Sequence, residues 1–299
     1  MLSGVFVPLV TPFLAAALDE DAYAHHIERL LAAGVSGFVT GAIAGEGPAL
    51  LPAERTRLVR IAVETVARRV PVIAASGTNC TAATIAATRA AREAGASAAL
   101  LVTPYYNKPM QAGLFAHFEA TARAVDLPLI LHSAPQRTNV RLEPETIDRL
   151  GQIPAIFALL DEEEDAGRRR ALAEACAQRL WPIVPDCRTA FLPGLRPPRA
   201  CVSITANLAP RLCVDVWRRR LAGIAVQQAE AAALDALRHA LEREPEPAGI
   251  KYALALLDPT FGPMPRLPLT EPSPASAAAI RIALAGLARI PLHMASLAS

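Results

Sequence analysis

The chain has 299 residues, 53% of them hydrophobic, with a mean hydropathy of +0.29. That is enough for one large α/β domain with an appendage, and no apolar run approaches the roughly 20 residues of a membrane helix. Thirty basic residues against 28 acidic ones leave a net charge of +2, which offers no concentrated basic face for nucleic acid.

Short β-rich runs alternate with amphipathic stretches along most of the sequence. Residues 5–10 predict a first strand and residues 21–33 a helix. Gly37-Phe38-Val39-Thr40-Gly41 follows as a strand, and Pro52 opens a helix at its first turn, where the missing N–H costs nothing. Val72-Ile73-Ala74-Ala75, Ala98-Ala99-Leu100-Leu101-Val102, Leu129-Ile130-Leu131 and residues 155–160 continue the series. Pro182-Ile183-Val184 and residues 200–204 complete it. The strand runs are almost continuously apolar, as parallel strands covered on both faces must be. Eight strands at this spacing predict an α/β fold, a (β/α)8 TIM barrel, over residues 1–224. No glycine-rich dinucleotide fingerprint follows the first strand, and no cofactor is expected. Beyond Gly223 the strand pattern stops. Residues 226–243, 250–257 and 275–290 read as helices, so residues 225–299 form a C-terminal helical segment, linked in part by Glu244-Pro245-Glu246-Pro247.

The N-terminus, Met1-Leu2-Ser3-Gly4, lacks a signal-peptide pattern, so the expected location is the cytoplasm. Cys80, Cys176, Cys187, Cys201 and Cys213 are odd in number and widely spaced, and read as buried or free thiols. The six histidines show no metal-ligand spacing, and no metal is expected. The run Asp161-Glu162-Glu163-Glu164-Asp165 reads as a solvated acidic loop.

In such a barrel the chemistry sits at the C-terminal ends of the strands. Those positions hold Ala42-Ile43-Ala44-Gly45-Glu46, Thr103-Pro104-Tyr105-Tyr106-Asn107-Lys108-Pro109, His132-Ser133-Ala134-Pro135-Gln136-Arg137-Thr138, Leu160-Asp161, Pro185-Asp186-Cys187 and Ser203-Ile204-Thr205-Ala206-Asn207. In this order the segments resemble the dihydrodipicolinate synthase / N-acetylneuraminate lyase family, over essentially the whole chain. The resemblance implies a barrel that joins or cleaves pyruvate-containing substrates through a lysine imine, commonly as a homotetramer. It also implies that Arg137 grips a substrate carboxylate and that Tyr106 crosses into a neighbouring subunit's site.

The resemblance fails where the chemistry should be. The position implied for the imine lysine is Leu160. The only two lysines, Lys108 and Lys251, lie in the tyrosine loop and the C-terminal helical segment. The family's tyrosine general acid/base is His132, its two threonines are Ile43 and Ala44, and a glycine that admits ligand is Pro185. A nucleophilic lysine condenses with a ketone to give an electron-sink iminium; leucine has no lone pair to do so.

The expected site therefore has no certain catalytic residue. It comprises His132 and Tyr106 as acid/base candidates, with Arg137, Ile43, Ala44, Glu46 and Val202 around a small carboxylate or keto acid. Arg137 either holds a ligand or pairs with a carboxylate such as Glu46. His132 is either a hydrogen-bonded core residue or a base, and Glu46 reads as a cap for backbone donors at a helix start. Three functions stay open: a ligand-binding relative without imine chemistry, a lyase of altered mechanism using His132 and Arg137, or a partner subunit of an active paralogue. Assembly as a homodimer or homotetramer through Tyr105 and Tyr106 is expected.

Overall fold

The computed structural model describes residues 2–163, 165–176, 179–189 and 197–290. Eight parallel strands close into a barrel: β1 (Gly4–Pro8), β4 (Gly37–Thr40), β5 (Val72–Ala75), β6 (Ala98–Val102), β7 (Leu129–Ser133), β8 (Ile156–Asp161), β9 (Trp181–Val184) and β10 (Ala200–Val202). Around it run α1 (Glu20–Ala32), α2 (Pro52–Val66), α3 (Thr81–Glu93), α4 (Gln111–Ala124), α5 (Pro135–Thr138), α6 (Pro144–Leu150), α7 (Ala166–Cys176) and α8 (Pro210–Leu221). The expected TIM barrel is the observed fold.

Alternation along each strand divides the side chains between two environments. Phe6, Val39, Ile73, Leu100, Ile130, Leu160 and Ile183 fill the barrel interior. Their neighbours Val7 and Phe38 face one outer cluster with Tyr23, Leu58 and Trp217. Leu101, Leu131 and Leu159 face a second, with Leu114, Phe118 and Ile147. Both strand faces are thus apolar, which is why the sequence shows runs without polar alternation.

Beyond α8 come α9 (Gln228–Leu241), α10 (Ala248–Leu257) and α11 (Pro274–Leu287). They share an apolar cluster with the barrel's loops, containing Val10, Ala44, Ile204, Leu237, Ile250, Leu254, Phe261 and Ile280. A small hairpin was not expected: β2 (Phe13–Leu14) pairs antiparallel with β3 (Ala17–Leu18). Its turn residues Ala15 and Ala16 sit at φ 47° and 69°. A two-residue turn of this kind wants left-handed backbone at both positions, normally signalled by Asn or Gly, and two alanines give no such signal.

Candidate active site at the barrel mouth

At the strand ends Val102 lies opposite His132 and His132 opposite Leu160, the latter after a register shift between Leu129 and Ile130 in the β7–β8 pairing. Leu160 is 3% exposed and belongs to the interior cluster. The place implied for an amine is therefore hydrocarbon among hydrocarbon. His132, 6% exposed, is the polar residue that follows this apolar column. Its Nε2 lies 2.8 Å from Glu162 Oε1. With the carboxylate as acceptor the ring carries its proton on Nε2, which leaves Nδ1 as the basic nitrogen. Among the described residues Nδ1 has no hydrogen-bond partner. Burial lifts the Glu162 carboxyl, but the His132 hydrogen bond and the charges of Arg137 and Arg238 outweigh it and hold the group below the usual carboxylate range.

Charged side chains from four elements surround this pair. Arg137 Nη2 from α5 stands 3.5 Å from Glu246 Oε1, which precedes α10. Burial raises the Glu246 carboxyl above its ordinary range, against the pull of Arg137 and Arg238. Arg238 of α9 pairs with Glu242 and stands 3.6 Å from Asp186. Asp186, 1% exposed, follows Pro185 at the end of β9. It accepts hydrogen bonds from Arg188 N and Nε at 2.8 Å and from Ser203 Oγ at 3.1 Å. Val202, half-buried, belongs to the rim of the interior cluster.

Several expectations need correction. Arg137 pairs with Glu246, not Glu46. Glu46 caps no helix: its side chain makes no cap hydrogen bond at the 3-10 turn it precedes. It instead accepts from Lys251 Nζ at 2.7 Å and from the Arg266 backbone N–H at 2.7 Å. The loop carrying it turns tightly, because a Cβ on Gly47 would meet Gly41 O at 2.0 Å; glycine is required there. Ala44 is 1% exposed within the C-terminal cluster and presents no surface to a ligand at the mouth, whereas Ile43 is half-buried.

The acidic run is not a solvated loop either. Asp161 binds Arg168 Nη2 at 2.7 Å, Glu163 pairs with Arg141 and Arg168, and Glu162 holds His132. Glu164 lies outside the described residues. Among the thiols, Cys187, Cys201 and Cys213 are buried and free, while Cys80 is exposed; the Cys176 side chain lies outside what is described.

Lys251 is fully buried, with its Nζ 4.2 Å from the Phe13 ring centroid and Arg266 at 4.2 Å from the same ring. Lys108 is exposed. Tyr105 is half-buried and Tyr106 is 91% exposed, with φ at 71°. A bulky side chain in left-handed backbone is an uncommon arrangement, and this one sits on a loop facing solvent.

Glu162, Glu246, Arg238 and Asp186 were not singled out from sequence. Glu162 was hidden inside an acidic run, and Glu246 inside a proline-rich connection. Their roles depend on which strand end and which helix the fold brings together.

The sequence profile of the dihydrodipicolinate synthetase family matches residues 1–285. The 4-hydroxy-tetrahydrodipicolinate synthase of Rhodospirillum centenum is 38% identical over 287 residues, covering 95% of this chain and 98% of that protein. The corresponding enzyme of Thermomicrobium roseum is 39% identical over 298 residues, covering 99% and 97%. Among solved structures, the chloride-inhibited dihydrodipicolinate synthase of Acinetobacter baumannii in complex with pyruvate is 34% identical. It superposes with a TM-score of 0.89, covering 97% of this chain and 100% of that one. The 4-hydroxy-tetrahydrodipicolinate synthase of Methylacidiphilum fumariolicum gives a TM-score of 0.91 at 29% identity, covering 96% of each chain. With its closed barrel, its strand-end segments and these likenesses along nearly its full length, the chain belongs to the dihydrodipicolinate synthetase family.

Proposed function

We propose that this family member has lost lysine-imine chemistry and that its barrel mouth holds a small carboxylate beside a His132–Glu162 acid–base pair. The observation that carries the reading is Leu160: a buried leucine paired in register with His132, in a chain whose two lysines are elsewhere. An iminium needs an amine within bonding distance of a ketone. Lys108 is in solvent, and the Lys251 amine is enclosed by Glu46, Phe13 and Arg266. The pyruvate complex of the Acinetobacter baumannii relative supports a small carboxylate as the ligand class.

His132 and Glu162 can move a proton at Nδ1 without any imine, since the carboxylate acceptor fixes the tautomer that leaves Nδ1 without a proton. Arg137 supplies the planar fork that suits a carboxylate. The nearly full exposure of Tyr106 on an unusual backbone supports an aromatic anchor in a homo-oligomer interface. No helix among the described residues is long and apolar enough to cross a membrane; we place the protein in the cytoplasm.

Condensation of pyruvate with aspartate semialdehyde tests the proposal. The expected rate with this protein is that of the uncatalysed reaction, while small carboxylates bind and Arg137→Met weakens them. Turnover well above the uncatalysed rate, in a preparation free of other synthases, would refute it.

A further inference from the structure

The C-terminal helices do not close fully on the barrel. Between the end of α1, the start of α8 and the ends of α10 and α11 lies a cavity of about 430 Å³, open to solvent on one side. Its walls are aliphatic, built chiefly by Leu208, Leu212, Leu257, Leu284, Leu287 and Ile290, and among the described residues no aromatic ring lines it. Leu287 packs against both the outer barrel cluster and the C-terminal cluster, so the cavity follows the seam between them. Leu257 is 51% exposed there. None of the barrel-mouth side chains described above belongs to the lining.

The polar members of the lining are two arginines, Arg29 and Arg211. Arg29 is half-buried. Its Nη2 donates to the Asn207 carbonyl oxygen and, at 3.2 Å, to the neutral His26 ring at Nδ1. Among the described residues no carboxylate stands within ion-pair distance of it. Burial lowers its pKa against the pull of Asp258, whose Oδ1 is taken by the Thr260 N–H and hydroxyl. Arg211 is exposed and, among the described residues, makes no hydrogen bond or ion pair. The cavity thus joins open aliphatic surface to two cations that have no anion of their own.

Each half of that combination excludes a class of ligand. A purely apolar molecule leaves both guanidinium charges unanswered, and a small hydrophilic anion leaves the aliphatic wall in water. An amphiphile with an alkyl chain and an anionic end satisfies both. At roughly 30 Å³ for a group the size of a water or methylene, the space takes a chain of about ten carbons with its head group. A carboxylate is the head that a guanidinium fork holds by charge-assisted hydrogen bonds.

We propose that this cavity is a binding site for medium-chain alkanoates, with the alkyl chain along the aliphatic seam and the carboxylate facing Arg29 and Arg211. Because α1 and α8 form one side and α10 and α11 the other, a bound chain ties the C-terminal helices to the barrel. Occupancy therefore stabilises the folded chain by mass action.

Calorimetric titration of the full chain with octanoate, octanol and octylammonium, and with hexanoate and decanoate, tests it. Octanoate should bind at one site per chain and at least about fivefold more tightly than octanol, with octylammonium weaker still. Affinity should climb from hexanoate to decanoate by up to about fourfold for each methylene buried. Arg211→Glu should weaken octanoate at least about tenfold and leave octanol within about twofold. Ala288→Trp, which sets a ring into the cavity from an exposed lining position, should weaken both. Decanoate at about a hundred times its Kd should raise Tm by roughly 5–10 °C. No binding at any chain length, equal affinity for octanoate and octanol, or octanoate binding unchanged by either substitution would overturn the proposal. So would a fall in sedimenting mass on saturation with decanoate, because the cavity would then be covered by a second copy of the chain.

Discussion

Replacing Lys251 by methionine is the most informative stability perturbation. The ammonium and the Glu46 carboxylate are 2.7 Å apart and both side chains are 0% exposed. Methionine fills much of the lysine stem's volume but leaves Glu46 as a buried carboxylate with one remaining donor, the Arg266 N–H. Breaking a buried pair on one side typically costs about 3–5 kcal/mol, and a chain of this size loses roughly 2–4 °C of Tm per kcal/mol. Tm should therefore fall by on the order of 10 °C. The double variant Glu46→Gln/Lys251→Met removes the stranded charge and keeps an acceptor for the Arg266 N–H, so it should recover a large part of the loss. Urea unfolding followed by tryptophan fluorescence measures both. A cost for Lys251→Met below about 1 kcal/mol, the level of an exposed pair, would refute the reasoning.

The same lysine has a titration signature. Burial lowers its pKa to about 8, with Glu46 opposing the shift and Arg266 adding to it. Between about 8 and the ordinary 10.5 the unfolded chain holds a proton that the folded chain has released. This group's contribution to stability therefore rises with pH across that window. Carbon-13 labelling of the lysine Cε atoms gives two resonances, and the one from Lys251 should titrate near 8; a midpoint above 10 contradicts the burial argument.

Leu160→Lys places an amine in the barrel interior, so pyruvate with borohydride should trap an adduct on that variant by mass spectrometry. Turnover should stay at background, because Ile43, His132 and Pro185 still stand where acid–base and alignment groups would be needed, and positioned acid–base groups contribute roughly 10²–10⁴-fold. Robust synthase activity from this single change would show the pocket argument to be wrong. Tyr106→Ala should raise the dissociation constant of the assembly in sedimentation equilibrium; a wild-type protein that is monomeric at micromolar concentration contradicts the interface role. His26 is held neutral, its pKa lowered to about 4 by burial and by Arg29, with the Asn207 hydrogen bond opposing. As pH falls from about 6.5 to 4 the unfolded chain gains a proton that the folded chain does not, so up to about 3 kcal/mol of stability is lost. His26→Gln should flatten that part of the curve, and an unchanged acid slope would rule out His26 as its source.

The barrel was legible because the strands are apolar on both faces and recur with helical spacing. Those properties follow from burying a parallel sheet and need no knowledge of partners. Leu160 was legible for the same reason: its place at the end of an apolar run makes it an interior residue whichever enzyme the barrel resembles. Glu46 was not. Its partner lies 205 residues away on α10, and an acid before a short turn gives the same local pattern whether it caps that turn or meets a lysine from elsewhere. The acidic run misled in a related way. Its charge suggested solvent, but Arg141 and Arg168 arrive from other positions and turn it into a paired network. Glu246 escaped notice because a proline-rich connection carries no periodicity to say which way a side chain points. The hairpin at Phe13–Leu18 was missed because alanines adopt its left-handed turn only under tertiary constraint.

The proposed absence of imine chemistry is tested most directly by incubating the wild-type protein with pyruvate and sodium borohydride and weighing it intact. Leu160 cannot condense with a ketone, Lys108 stands in solvent, and Lys251 is enclosed against Glu46. The predicted result is a single species at the unmodified mass. A stoichiometric pyruvyl adduct, mapped by peptide mass to Lys108 or Lys251, would contradict the account.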